Sequence, residues 1–236
     1  MRLNEATAIS TPKLILVPYS EHHVPEYHKW MQDEELQKLT ASEPLTMKEE
    51  YEMQRSWRTS TDKLTFIACE NESKETEKGA VQISAGVDDS SRNMIGDVNL
   101  FLFEDDLEEI IGEVEIMIAR RDCQGKGYGH LILSMFLWYI VRNVDAILEH
   151  FGGDDTKASL KYLRAKIDAE NERSIRLFEK VGFEKIDEKP NYFGEVELRL
   201  TLSGQEELGW KGKGEPPRVA EYKLNSGELD KSLPMD

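Results

Sequence analysis

Residues 113–130 read Glu-Val-Glu-Ile-Met-Ile-Ala-Arg-Arg-Asp-Cys-Gln-Gly-Lys-Gly-Tyr-Gly-His and run into a strongly apolar stretch. Three glycines in five residues, Gly125, Gly127 and Gly129, sit where a strand gives way to a helix. Glycine lets successive backbone N–H groups turn toward one point without side chains in the way. Together with the free donors and the dipole of a helix start, such a turn holds an anion, and a pyrophosphate fits it. The spacing is Gln124-x-x-Gly127-x-Gly129. A P-loop would need Ser or Thr after the lysine, and Lys126 is followed by Gly127. A dinucleotide fingerprint would need Gly or Ala where Ile132 stands.

Glu113 and Glu115 precede the turn. Residues two apart on a strand share a face, so both carboxylates point to one side. A carboxylate whose pKa is raised by burial can serve as a general base. The same pair can equally be the solvent face of a strand whose apolar face is Val114, Ile116 and Ile118. Cys123 reads as a small filler at the turn, since no histidine is placed beside it as a base. His130 reads as a surface or packing residue. His22, His23 and His28 read as ordinary helix residues, and no metal site is expected.

The elements that position these groups follow from periodicity and punctuation. Strands are predicted over Leu14 to Val17, Leu64 to Glu70, Met94 to Phe103 and Gly112 to Ala119. Three more cover Tyr162 to Ile167, Phe183 to Glu188 and Val196 to Leu202. Helices are predicted over His22 to Met31, Thr46 to Ser60, Gly127 to Val144 and Glu172 to Val181. Thr46 and Glu49 form a capping box, and Gly182 suits a left-handed helix stop. Asn71 to Arg92 reads as a solvated connection, Glu104 to Glu109 as an acidic hairpin tip, and Asp145 to Lys161 as an enlarged loop. Residues 1–203 are expected to form one domain, and residues 204–236 a flexible tail.

The chain has 236 residues, 39% hydrophobic and 32% charged, with a formal net charge of −16. That charge disfavours nucleic acid and anionic membranes and suits a basic acceptor. Cys69 and Cys123 are too far apart for a disulfide framework to be expected, which points to a reducing compartment, the cytoplasm or the nucleus. No apolar run approaches the roughly 20 residues that a membrane span needs.

The Gln124-x-x-Gly127-x-Gly129 spacing resembles the coenzyme A pyrophosphate loop of the GNAT acetyltransferase superfamily. Asn171-x-x-Ser174-x-x-Leu177-Phe178-x-Lys180-x-Gly182-Phe183 resembles that superfamily's following helix, and the order of elements matches. Thr40 to Thr46, Gly96 to Leu102, Gly112 to Ala119, Met1 to Asn4 and Val17 to Tyr19 are similar to the N-acetyltransferase 9-like group within it. The resemblance implies an α/β GNAT fold: a mixed, mostly antiparallel sheet flanked by helices, whose two central parallel strands splay apart. It implies acetyl-CoA as cosubstrate, with its pantetheine against Met117, Ile118 and Ala119. The pyrophosphate would lie on Gln124, Gly125, Lys126, Gly127, Tyr128 and Gly129, with Asn171 and Ser174 beside the cofactor. As bare residues, Asn171 and Ser174 read as a helix N-cap and a first-turn polar residue.

The implied activity is acetyl transfer to an amine, a protein or peptide N-terminus or a lysine, with Glu113 or Glu115 as base. The superfamily's frequent acid, a tyrosine, falls on Phe178, which has no proton to give. The alternative is an acyl-CoA-binding interaction protein with cytoskeletal or microtubule partners and little catalysis.

Overall fold

The computed structural model describes residues 1–72, 82–105, 109–152, 159–187, 189–202, 210, 212 and 214–224. Leu-Ile-Leu-Val-Pro, strand β2 (Leu14–Pro18), is apolar throughout because it is buried on both faces. Its alternate residues serve two cores: Leu14 and Leu16 join one, Ile15 and Val17 the other. Strand β3 (Lys63–Glu70) divides in the same way, with Leu64, Phe66 and Ala68 against Ile67 and Cys69.

The remaining strands are β1 (Thr7–Ser10), β4 (Gln82–Ser84), β5 (Met94–Glu104), β6 (Ile110–Ile118), β7 (Leu160–Asp168), β8 (Glu184–Lys185), β9 (Glu195–Leu200) and β10 (Arg218–Lys223). Among the described residues they form one ten-stranded sheet in the order β4-β10-β1-β2-β3-β5-β6-β7-β9-β8. All neighbours are antiparallel except β10 with β4 and β6 with β7. Helices α1 (Val24–Trp30), α2 (Glu34–Leu39) and α3 (Met47–Thr59) lie toward one face, and α4 (Tyr128–Gly152) and α5 (Glu172–Lys180) toward the other. By length and composition α4 could cross a membrane, yet 61% of its most apolar window is buried within this fold.

The capping box forms as expected: the Thr46 backbone N–H donates to Glu49 Oε2 at 2.8 Å, and the Glu49 N–H donates to Thr46 Oγ1. Other expectations need correction. The supposed tail contributes β10, whose residues 218–221 pair with β1, so the sheet extends past residue 203. The supposed connection 71–92 contains β4 and a turn carrying the buried Asp89. The helix α4 continues to Gly152 through a kink at Asn143, whose side-chain amide donates to the Tyr139 carbonyl at 2.8 Å. The enlarged loop therefore shrinks to the stretch before Leu160, of which residues 153–158 lie outside the described residues. Residues 106–108 of the acidic tip and residues 225–236 also lie outside them.

Candidate active site

Strands β6 and β7 pair in parallel only from Ile110 to Glu113, with a register shift between Ile110 and Ile111, the last pair being Glu113 with Arg164. Beyond it they separate, while β7 stays paired with β9 as far as Asp168. The separation leaves Ile116 to Ala119 facing a cleft of about 850 Å³. The glycine turn, the starts of α4 and α5, and helix α2 line the rest of it.

Gly125 and Gly127 hold φ of +74° and +84°, and a Cβ on either would meet nothing within 4 Å. These positions need glycine for conformation, and the turn stands open above them. Gly129 is different: a Cβ there would lie 3.1 Å from Leu177 Cδ2, so it lets α4 pack close to α5. Tyr128 is buried, and its hydroxyl donates to Glu70 at 2.5 Å, which pins the turn to β3. Arg120 holds the same Glu70.

Gln124 bridges the cleft's two walls. Its Nε2 donates to the Ile118 carbonyl at 3.0 Å, and its Oε1 accepts from Arg173 of α5 at 3.1 Å. Asn171 caps α5, its Oδ1 accepting from the Ser174 N–H at 3.1 Å. Thus Met117, Ile118, Ala119, Gln124, Gly125, Gly127, Tyr128, Gly129, Asn171 and Ser174 all line one cleft. Lys126 does not; its side chain is exposed outside it.

Sequence reasoning missed α2, six residues long and too short to show a period. Its one local signal is Asp33, which caps it by accepting from the Glu35 N–H. Arg121 then clasps α2 to the glycine turn through Asp33 at 2.8 Å and Glu35 at 3.1 Å. Arg173, Arg176 and Lys180 add positive charge on the α5 wall, as an anionic ligand requires.

The two carboxylates part company. Glu113 is ion-paired, its Oε2 accepting from Arg164 Nε at 2.7 Å, while Arg164 also lies over the Phe103 ring. For Glu115 no hydrogen bond or ion pair is present among the described residues. The surrounding protein displaces much of the water near its carboxyl and, with Glu113 and Asp97, raises its pKa to about 7. The residue as a whole is exposed, however, so solvent screening tempers the rise. The cleft wall begins one residue further on, at Ile116.

Phe178 packs edge-to-face on Phe183, centroids 5.0 Å apart, and is buried in the core rather than lining the cleft. Cys123 lines the cleft, but burial pushes its thiol up, against a nucleophilic role.

His22 and His23 are not the ordinary helix residues the sequence suggests. Both Nε2 atoms lie 3.1 Å from Asp89 Oδ2. His23 Nδ1 accepts from the Ser20 N–H at 3.0 Å, so its Nε2 carries the proton and donates to Asp89. A protonated Nε2 does not ligate a metal, and Asp89 also accepts from the Tyr222 hydroxyl at 2.6 Å. The cluster fastens β10 to the turn after β4.

The family described as acetyltransferase (GNAT) domain matches residues 13–184. An N-acetyltransferase 9-like protein of Schizosaccharomyces pombe is 43% identical over 223 residues, covering 85% of this chain and 98% of that one. A human protein named alpha/beta-tubulin-N-acetyltransferase 9 is 44% identical over 208 residues, covering 87% and 88%. Among solved structures, the fold is shared with a spermidine N-acetyltransferase of Vibrio cholerae in complex with CoA and spermine. That structure has a TM-score of 0.59 at 16% identity, over 83% of this chain and 99% of that one. A family match across most of the chain, close relatives along nearly its whole length, and a cleft between two parting parallel strands agree: this chain belongs to the GNAT acetyltransferases and transfers an acetyl group to an amine.

Proposed function

We propose that the chain binds acetyl-CoA between β6 and β7 and passes the acetyl group to an amine of a polypeptide, an N-terminus or a lysine. The observation that carries this reading is the parting of β6 from β7 after Glu113, which opens a cleft that the glycine turn also lines. The pyrophosphate would rest on the turn's N–H groups and the pantetheine along Met117 to Ala119, with Gln124 yielding the Ile118 carbonyl. Tubulin chains are the first acceptors to try, because relatives above 40% identity carry tubulin in their names. A polypeptide acceptor also suits the turn before β9. There Tyr192 and Phe193 are 96% and 81% exposed, on a loop fixed by Asn191, whose Oδ1 accepts from the Phe193 and Glu195 N–H groups. Glu195, next to this loop, pairs with Asp168, and Asp168 lines the cleft.

In the chemistry, Glu115 takes a proton from the acceptor ammonium, and the freed amine attacks the thioester carbonyl. The C–N bond forms, the C–S bond breaks, and the second proton shed by the nitrogen passes through water to the thiolate, since Phe178 has none to give; the proton on Glu115 returns to solvent. A thiol of pKa about 8.5 leaves tolerably without an acid. Cys69 and Cys123, both buried and free, are consistent with a reducing compartment, the cytoplasm or nucleus.

Calorimetric titration of acetyl-CoA into the wild type and Gly127→Asp tests the site. A carboxylate there repels the pyrophosphate and strains a φ of +84° without touching a neighbour. Micromolar binding by the wild type and none by the folded variant establishes it; equal binding by both places the coenzyme elsewhere. Release of free thiol with tubulin N-terminal peptides, set against polyamines, then identifies the acceptor class.

A further inference from the structure

Glu115 does not stand alone on its face of the sheet. In the β5–β6 register Asn99 lies directly across from it and Asp97 diagonally, across from Met117. Cross-strand neighbours share a face, with Cβ atoms about 5 Å apart when opposite and about 7 Å on the diagonal. Asp97 and Asn99 are 2% and 4% exposed. Asn99 Nδ2 donates to Asp97 Oδ2 at 2.7 Å, and the Tyr27 hydroxyl of α1 reaches the same oxygen at 3.4 Å. Two buried oxygens, Asp97 Oδ1 and Asn99 Oδ1, have no hydrogen-bond partner among the described residues. Leaving such acceptors unpaired costs free energy, which a fold tolerates where a donor arrives during function.

We infer that Asp97 is a positioning residue for the base: it orients the Asn99 amide so that its oxygen faces Glu115 directly across the sheet, and it supplies the fixed negative charge that strengthens Glu115 as a proton acceptor. The donor that Asn99 Oδ1 awaits is the O–H of Glu115 after proton transfer. No bond to Asp97 forms or breaks. The charged and titratable groups around the site are Glu113 on the same strand, Arg164 on β7 held by Glu113, Tyr19 just after β2, Tyr27 on α1, and Glu50 on α3 facing His28. Arg164 is committed to Glu113, so Asp97 and Glu113 are the charges that act on Glu115. Burial also pushes Asp97 up to about 6, so it is largely ionised at neutral pH, where its charge is needed.

This inference rests on Glu115 being the base, and one experiment separates the two. The pH dependence of kcat/KM is measured with acetyl-CoA and an acceptor peptide for the wild type, Glu115→Gln, Asp97→Asn and Asn99→Asp, with acetyl-CoA affinity measured by calorimetry for each. A unit charge about 7 Å away in a partly screened site moves a carboxyl by about one pH unit. Asp97→Asn should therefore move the acidic limb about one unit lower, and Asn99→Asp should move it higher, with acetyl-CoA affinity unchanged within twofold. A merely structural Asp97 would lower activity evenly across pH and leave the limb in place, which overturns the inference. If the limb survives in Glu115→Gln, Glu115 is not the base and both readings fall. Asn99→Asp keeps the question decidable should Asp97→Asn fail to fold.

Discussion

Two glutamates two residues apart on β6 face one way yet meet different surroundings, and this decides their chemistry. Glu113 is spent on Arg164; Glu115 is not. Glu115→Gln should lower kcat/KM by roughly 10²- to 10⁴-fold, the usual worth of a general base, while calorimetry finds acetyl-CoA affinity intact. Glu113→Gln should instead lower stability by roughly 1–2 kcal/mol in urea unfolding, because Arg164 loses a charged partner, with a smaller effect on rate. The base must be deprotonated to act, so kcat/KM should rise with pH and level off above about 7. A steady-state series from pH 5.5 to 9 checks the midpoint; a limb near the ordinary carboxylate value would mean that Glu115 is fully solvated in the complex.

At the level of elements, the histidine cluster gives the sharpest prediction. Burial lowers the His23 pKa to about 4 against 6.5 unfolded, with the Asp89 hydrogen bond opposing. A depressed histidine means that the unfolded chain binds the extra proton, so stability is complete above 6.5 and falls as pH drops toward 4. Urea titrations should show a loss of about 2 kcal/mol between pH 7 and pH 5, which His23→Gln removes. Thr46→Ala should cost about 1 kcal/mol by opening the capping box of α3, measurable as a lower Tm. Such local devices were legible: the box is written within four residues, and the glycine turn within six. The apolar run of α4 also showed through, though not its continuation from Val144 to Gly152. What escaped notice was fixed at long range. Arg121 meets Asp33 across 88 positions, and Tyr222 meets Asp89 across 133, so neither leaves a local pattern. Strand β10 is alternately exposed and buried only because β1 and β4 flank it. The paired glutamates could be found from sequence but not told apart, since Arg164 lies 51 positions beyond Glu113.

Across the whole molecule, the sheet reaches from an active-site half, β5 to β9, to a supporting half that the C-terminal strand completes. Deleting residues from 218 onward should strip β1 of its outer partner and Asp89 of the Tyr222 hydroxyl. The truncated chain is expected to melt at a lower temperature and to associate through the exposed β1 edge in size-exclusion chromatography. A tail without structural work would leave both readouts unchanged.

The pairing of β1 with β10 joins Thr7 to Glu221. Because closing so long a loop is entropically costly, that ladder forms late, once the intervening strands have drawn its ends together. On the ribosome, β1 is made long before β10, the strand that covers its outer edge. During synthesis the unpaired edge is therefore open to wrong pairing, and the step that removes it also seats Tyr222 on Asp89.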